Sequence, residues 1–433
     1  MLPAAIQQDF VMAYAPADDD RIVITNIDKD LYPSEAISTD PFQKFREDAH
    51  WLNYFLCGYK SILALNSPVK DRVTKPKGMK ILIESLVPAA AGLSSSSAFC
   101  VCTAVTTLHA NGLIDKIDQA TLANLVINAE RMAGTACGGM DQTISIMGKF
   151  NTAKLIDFVP TLKASDITVP DSVALVIADS LTPSAKLLTL GTRYNKRVVE
   201  CRFATALLAI ATRKATSFDN CTYLTLQQLQ EDLGYDLAQM ISLVSTHIKK
   251  AGYSIEILKR EGKCEDPFLM VSKVPHIGEV MAKNLTFYPH ERALHVFNEA
   301  KRVHDFAATC RNDEMDAEVK VEMLGRLMNE SHESCDKLYE CSSDLLNELT
   351  GMARAAGALG SRLTGAGWGG CCVSLVRKTE LKSFIEKVTE FYTKTRPKGE
   401  ELWITDDLSR YIFGTQLGSG ALVLDPTGAL WNE

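Results

Sequence analysis

Apolar and polar positions along the chain follow two different rhythms. "MKILIESLV" (79–87) is short, rich in branched residues and stopped by Pro88, which predicts a strand. From Ser95 to about His109 small and apolar residues fall on every side, the pattern of a buried helix. "QATLANLVINAERMAG" (119–134) sets Leu122, Leu125, Val126, Ala129 and Met132 on one stripe at helical spacing, with Gly134 as its stop. "SVALVIADS" (172–180) is a second strand. The polar, proline-bearing "VPTLKASDITVPD" before it marks a boundary between an N-terminal domain, 1–166, and a C-terminal domain, 167–433. Beyond it the pattern is mostly helical, at about 194–215, 226–250, 289–309, 315–332 and 343–357. "DRVTKPKG" and "TKTRPKGEE" read as charged surface loops, and "GSGALVLD" (418–425) as a turn and a final strand. Strands and helices mix in both halves, so the expected fold class is α+β.

Composition narrows the function classes. The 433 residues carry a net charge of −7, which argues against a nucleic-acid partner, since phosphate backbones select a basic face. No apolar run reaches membrane-spanning length, and the N-terminus lacks a basic stretch followed by an apolar one. The expectation is a cytoplasmic protein with no membrane partner. None of the 12 cysteines forms a CxxC pair, so they read as reduced core residues rather than a zinc site.

Candidate chemistry begins at "PAAAGLSSSSAF" (88–99), which stacks four serines before a buried helix. One serine there would be a helix cap, whose oxygen satisfies an orphan amide. Four exceed that need, and a strand end, Gly92 and a helix N-terminus together suit an anion. No lysine lies between Lys80 and Lys116, so this is not a Walker A loop. A phosphate here would be balanced by amides, the helix dipole and Mg²⁺, a hard ion that takes a serine hydroxyl and a carboxylate. Glu130 offers the carboxylate, with a solvated helix charge as the alternative. In "GTACGGMDQTIS" (134–145), Asp141 is either a turn or cap residue, or a carboxylate presented to a substrate hydroxyl. "SRLTGAGWGGCCVSLV" (361–376) is glycine-rich, but its glycines lead into a strand and the spacing is GxGxGG. That excludes a dinucleotide fingerprint and leaves a structural turn or a loop giving backbone access beside a phosphate.

In this order the three segments resemble the galactokinases of the GHMP small-molecule kinase superfamily. "WLNYFLCG" (51–58), "YNKRVVECRFA" (194–204), "MNESHESCDKLYECS" (328–342) and "GSGALVL" (418–424) are similar to its eukaryotic galactokinase and N-acetylgalactosamine kinase branch. The resemblance implies a two-domain GHMP kinase fold of mixed sheets and helices with its active site at the domain interface. It implies ATP and Mg²⁺, with Ser96, Ser95 close by, and Glu130 as metal ligands. The amides of Gly92, Leu93, Ser94, Ser95, Ser96 and Ser97 would wrap the ATP phosphates, with Gly365 and Gly367 against them. Asp141 would be the catalytic carboxylate at the sugar C1 hydroxyl, and Tyr194, Gly138 and Gly139 would contact the sugar. Trp51 and Tyr54 would line the nucleotide pocket or the core, and His332 would be structural.

The expected reaction is ATP-dependent phosphorylation of galactose by a monomer acting on a small-molecule sugar and ATP. N-acetylgalactosamine as substrate, or a non-catalytic nucleotide- or sugar-binding sensor, are the alternatives. Members of the family open with GRVNLIGEHxDYxxGxxLPxAI, of which Leu2–Ile6 match only the tail. On that basis the expectation is a truncated N-terminal strand region, an uncovered sheet edge and impaired turnover, because a transition-state arginine is lost.

Overall fold

In the computed structural model, which describes residues 1–46, 50–132, 138–184, 190–394, 408–424 and 430–431, the chain forms two compact units. The first comprises Met1–Phe158, Leu162–Val169 and Thr415–Glu433, and the second Val159–Thr161 and Pro170–Gly414.

The first unit opens with strands β1 (Phe10–Ala17), β2 (Arg21–Asn26) and β3 (Glu35–Ser38). Helix α1 (Leu52–Leu63), strand β4 (Gly78–Ser85) and helices α2 (Ser95–Ala110), α3 (Gln119–Met132) and α4 (Met140–Met147) follow. A hairpin of β5 (Thr152–Asp157) and β6 (Lys163–Thr168) comes next. The main sheet runs β1-β4-β2-β3, with β2 parallel to β4 and the outer strands antiparallel to their neighbours. β4 buries Met79, Ile81 and Ile83 and exposes Lys80, Leu82 and Glu84, so the two-residue period sets its inner face. Ile22 and Ile24 of β2 share that core with Phe55, Tyr59 and Ile62 of α1 and Val101, Ala104 and Leu108 of α2. Gly58 lets α1 lie against α2: a Cβ there would meet the Cys100 carbonyl and come within 2.7 Å of the Thr103 Cβ.

The second unit starts with β7 (Val173–Asp179), α5 (Asn195–Ala211), α6 (Leu226–Leu233), α7 (Leu237–His247) and β8 (Tyr253–Ser254). It continues through α8 (Ile255–Gly262), α9 (Ile277–Lys283), β9 (Thr286–Phe287), α10 (Pro289–Arg311), α11 (Ala317–Ser334) and α12 (Asp344–Ala356). β10 (Gly360–Leu363), β11 (Cys371–Arg377), α13 (Leu381–Lys394) and β12 (Ile412–Thr415) complete it. Its sheet order is β10-β11-β7-β12. One core is helical, around Phe203, Phe218, Phe268 and Phe287; the other lines the sheet with Val176, Leu346, Cys372 and Phe384.

The tail, carrying β13 (Val423–Leu424) and β14 (Leu430–Trp431), belongs to the first unit rather than to the C-terminal domain expected from the sequence. The Gly418 N–H donates to the Ala5 carbonyl at 2.9 Å, and the Gly420 N–H to that of Gly148 at 2.8 Å. A Cβ on Gly418 would stand 2.5 Å from the Ile6 carbonyl oxygen, so glycine is required for this passage. The Met1 and Pro3 carbonyls accept from Ile156 and Lys154 of β5 at 2.9 and 2.8 Å.

Other differences have local causes. The helix expected over 226–250 breaks at Gly234, which turns left-handed at φ +65°, and restarts at an Asp236–Gln239 capping box. The boundary stretch 159–171 contains β6, paired along β5, and is not a plain linker. Met132, expected on the buried stripe of α3, is exposed at the last residue of the helix. Gly134, Cys137 and most of "TKTRPKGEE" lie outside the described residues. Among the described residues, no helix is long and apolar enough to cross a membrane.

Two glycine substitutions test this packing by urea denaturation. Gly58→Val overpacks the α1–α2 contact and should lower unfolding free energy by about 1–3 kcal/mol. Gly278→Ala, in α9 with nothing within 4 Å of its added Cβ, should raise it by up to about 1 kcal/mol through helix propensity.

Candidate active site

Between β4 and α2 the backbone alternates in hand. Ala90, Gly92 and Ser94 have φ of +55°, +74° and +60°, while Ala91 and Leu93 between them are not left-handed. Such alternation turns successive N–H groups toward one concave side and makes an anion-binding nest. Ser94 is the N-cap of α2, yet its side chain makes no capping bond. Among the described residues, nothing accepts from the N–H groups of Gly92 through Ser97. The nest therefore runs directly into the positive end of a 16-residue helix.

The hydroxyls of Ser96 and Ser97 turn onto an acid. Glu130, in the last turn of α3, is 1% exposed, which overturns its reading as a solvated charge. Ser97 Oγ donates to Glu130 Oε2 at 2.9 Å, and Ser96 Oγ lies 3.5 Å from Oε1. Gln142 Nε2 donates to the same Oε2 and to Ser97 Oγ at 3.2 Å. Three helices thus meet on one buried carboxylate. The donor set is one carboxylate with hydroxyls, and among the described residues no three His, Cys, Asp or Glu gather into a protein-only metal cage. That set fits Mg²⁺, which takes one or two carboxylates and leaves its other positions to phosphate and water.

Asp141 lies in the first turn of α4, whose N-cap is Gly139 at φ +102°. A Cβ on Gly139 would sit 2.6 Å from Ile127 Cδ1, so no capping side chain fits there. Gly138 is exposed and has room, its nearest neighbour being the Met1 methyl at 3.4 Å. Asp141 is half-buried, and among the described residues its carboxylate has no hydrogen-bond or ionic partner, so it does not serve as a cap. Gln142 follows the acid in "GTACGGMDQTIS" and carries no other mark in the sequence.

Trp51 stacks on Phe99 at 6.2 Å and on His50 at 5.6 Å, and both Trp51 and Tyr54 pack against the first core. Tyr194 is half-buried at the end of a π-helical turn, Leu190–Tyr194, that leads into α5.

The third glycine cluster, 364–370, joins the antiparallel strands β10 and β11. Gly365 and Gly367 are left-handed at φ +69° and +83°, and Trp368 between glycines stands at +58°. The Gly370 N–H donates to the Thr182 carbonyl at 2.6 Å, and Ser184 Oγ to the Gly367 carbonyl at 3.0 Å. His332 anchors the strand that enters the loop. Its Nδ1 accepts the Leu363 N–H at 3.2 Å, while Nε2 is 3.1 Å from Asn347 Oδ1 and 3.0 Å from Thr350 Oγ1. The proton is thereby assigned to Nε2. Burial, then the nearby Arg354 charge, pulls this imidazole down to about 4. Burial does the same to His295, whose Nδ1 meets Ser334 Oγ at 2.9 Å.

The folds and motifs have known counterparts. The family described as GHMP kinases N terminal domain matches residues 53–149, and GHMP kinases C terminal matches 317–394. A crystal structure of Lactococcus lactis galactokinase complexed with galactose covers 97% of this chain and 88% of its own, with a TM-score of 0.68 at 22% identity. The two-unit α+β architecture is therefore that of a GHMP kinase, as the sequence led one to expect. Galactokinase from Dictyostelium discoideum is 36% identical over 446 residues, spanning 99% of this chain and 86% of the relative. Galactokinase from Candida parapsilosis is 35% identical over 420 residues, 92% of this chain and 81% of the relative. The chain belongs to the galactokinase family.

The two buried histidines set a pH dependence. Their folded values near 4 lie below the ordinary 6.5, so the unfolded chain binds more protons between those limits. Their contribution to stability is fully present above about pH 6.5 and is lost as pH falls toward 4. A His295→Gln/His332→Gln variant should be less stable at pH 7 but show a shallower loss across that window in urea midpoints. Parallel curves would refute the assignment.

Proposed function

We propose that this chain transfers the γ-phosphoryl group of ATP to the C1 hydroxyl of galactose, yielding galactose 1-phosphate and ADP. The observation that carries the reading is the nest at 90–94 opening α2, with Ser96 and Ser97 turned onto buried Glu130. Family membership supplies the sugar and the phosphoryl donor.

Phosphoryl transfer asks for alignment and charge neutralisation more than for covalent help. The N–H groups of Gly92 to Ser97 bind phosphate oxygens at the helix end, where they need no reorganisation. Ser96 and Glu130 would hold Mg²⁺, which would supply charge neutralisation at the nucleotide phosphates. Gln142 and Ser97 keep the Glu130 carboxylate oriented for that task. Asp141 accepts or orients the C1 hydroxyl proton, which is lost late as the phosphoryl group departs from ATP. Tyr194, Gly138 and Gly139 are assigned to the sugar, Gly365 and Gly367 to the ATP phosphates, and Trp51 and Tyr54 to the edge of the nucleotide pocket.

Turnover followed by ³¹P NMR, with ligand binding by calorimetry, tests the assignment. Asp141→Asn should lower kcat by about 10²–10⁴-fold, the usual worth of a general base, with MgATP affinity changed less than about threefold. Glu130→Gln should instead raise the Mg²⁺ concentration needed for half-maximal ATP binding. A chain that binds neither MgATP nor galactose would overturn the reading.

A further inference from the structure

The segments "YNKRVVECRFA" and "MNESHESCDKLYECS" meet inside the second unit around Glu200 of α5. Its buried Oε2 accepts from Arg292 Nε at 2.8 Å and Arg197 Nη1 at 3.1 Å, and its Oε1 from the Tyr288 N–H at 3.0 Å. The two guanidiniums then take three successive main-chain carbonyls. Arg292 Nη1 donates to Leu338 at 2.5 Å, Arg197 Nε to Tyr339 at 2.5 Å, and Arg197 Nη2 to Glu340 at 3.2 Å. The Glu340 carboxylate closes the ring, accepting from Arg292 Nη2 at 2.5 Å and Arg197 Nη2 at 3.3 Å. These carbonyls end a π-helical turn, Cys335–Tyr339, where unmet acceptors collect and cations are favoured.

The glycine-rich loop rests on this backbone. Trp368 Nε1 donates to the Glu340 carbonyl at 2.9 Å, and the Trp368 N–H to that of Cys341 at 2.7 Å. At Gly367 any Cβ would collide with the Cys341 carbonyl. The Arg197 guanidinium lies 5.9 Å from the Trp368 ring centroid, adding a cation–π contact. Glu340 and Trp368 are both left-handed without being glycine, at φ +52° and +58°. Such residues persist only where their surroundings over-determine them. A buried ion network gains little stability over apolar packing, so what it provides here is a fixed geometry.

We propose that Glu200, Arg197, Arg292 and Glu340 are positioning residues that fix the Glu340–Cys341 backbone, and through it the Gly367–Trp368 turn in the conformation that binds ATP phosphates. This rests on the assignment of that loop to ATP made above.

Calorimetry on the full chain gives the MgATP and galactose dissociation constants, and a thermal scan gives Tm. Trp368→Phe keeps the ring and removes one donor, while Glu340→Gln keeps the shape and removes the charge. Each should weaken MgATP about three- to tenfold, the worth of one hydrogen bond, with galactose affinity unchanged within about twofold. The double variant should lose less than the product of the two, because both act through one carbonyl. Glu200→Gln should weaken MgATP similarly wherever it folds. Unchanged MgATP affinity in both single variants, equal losses for both ligands, or a fall in Tm alone would each overturn positioning. If the unsubstituted chain fails to bind MgATP, the assignment of the loop to ATP falls, and this proposal with it. If it binds and the variants do not differ, the positioning role falls alone.

Discussion

The first unit is organised by the burial of one carboxylate. An ionised acid removed from water is costly unless every lone pair finds a donor. Glu130 Oε2 accepts from Ser97 and Gln142, drawn from two other helices, and Oε1 has Ser96 within reach. This fixes how α2, α3 and α4 sit against one another. It also takes up the hydroxyls of Ser96 and Ser97, while the first-turn amides stay available. A buried carboxylate and an open anion nest are two faces of one arrangement.

The second unit meets a similar problem with its own buried acid, Glu200, set one layer behind the loop. Its glycine-rich loop must follow a path that ordinary side chains would block, so glycine occupies the crowded points. The polar partners of that loop are mostly main-chain carbonyls, those of Thr182, Glu340 and Cys341. Each carbonyl is itself held by the fold around it. In the first unit donor side chains orient a carboxylate, and in the second they orient backbone carbonyls.

Much of this was legible in the chain. The period-two run at β4, the all-round apolar helix after it and the three glycine-containing segments pointed to the fold class and to the loop that forms the nest, because those signals are local. Less legible was anything set by distant partners. Glu130 was named as a carboxylate donor, but its burial was not legible, since an isolated acid on a helix carries no mark of the serines that will meet it. Gln142 passed unnoticed for the same reason. Arg197 and Glu200 stood in a quoted segment, but nothing in their spacing announces Arg292, far along the chain. The tail's place in the first unit was hidden as well, because glycines at 418 and 420 say that backbones will approach closely but not which ones.

That tail has a consequence for how the protein is made. The carbonyls of Ala5 and Gly148 wait for the amides of Gly418 and Gly420, which leave the ribosome only after the whole of Pro170–Gly414. Chains commonly fold N-terminal part first during synthesis. Here the order is reversed at its last step, since the C-terminal unit lies almost wholly within one uninterrupted stretch and its strands and helices are all synthesised before the N-terminal unit can close. Joining such distant segments costs only logarithmically in loop length, so the delay is a matter of timing more than of stability. Until it ends, the nest at 90–94 belongs to a unit still missing its final strand.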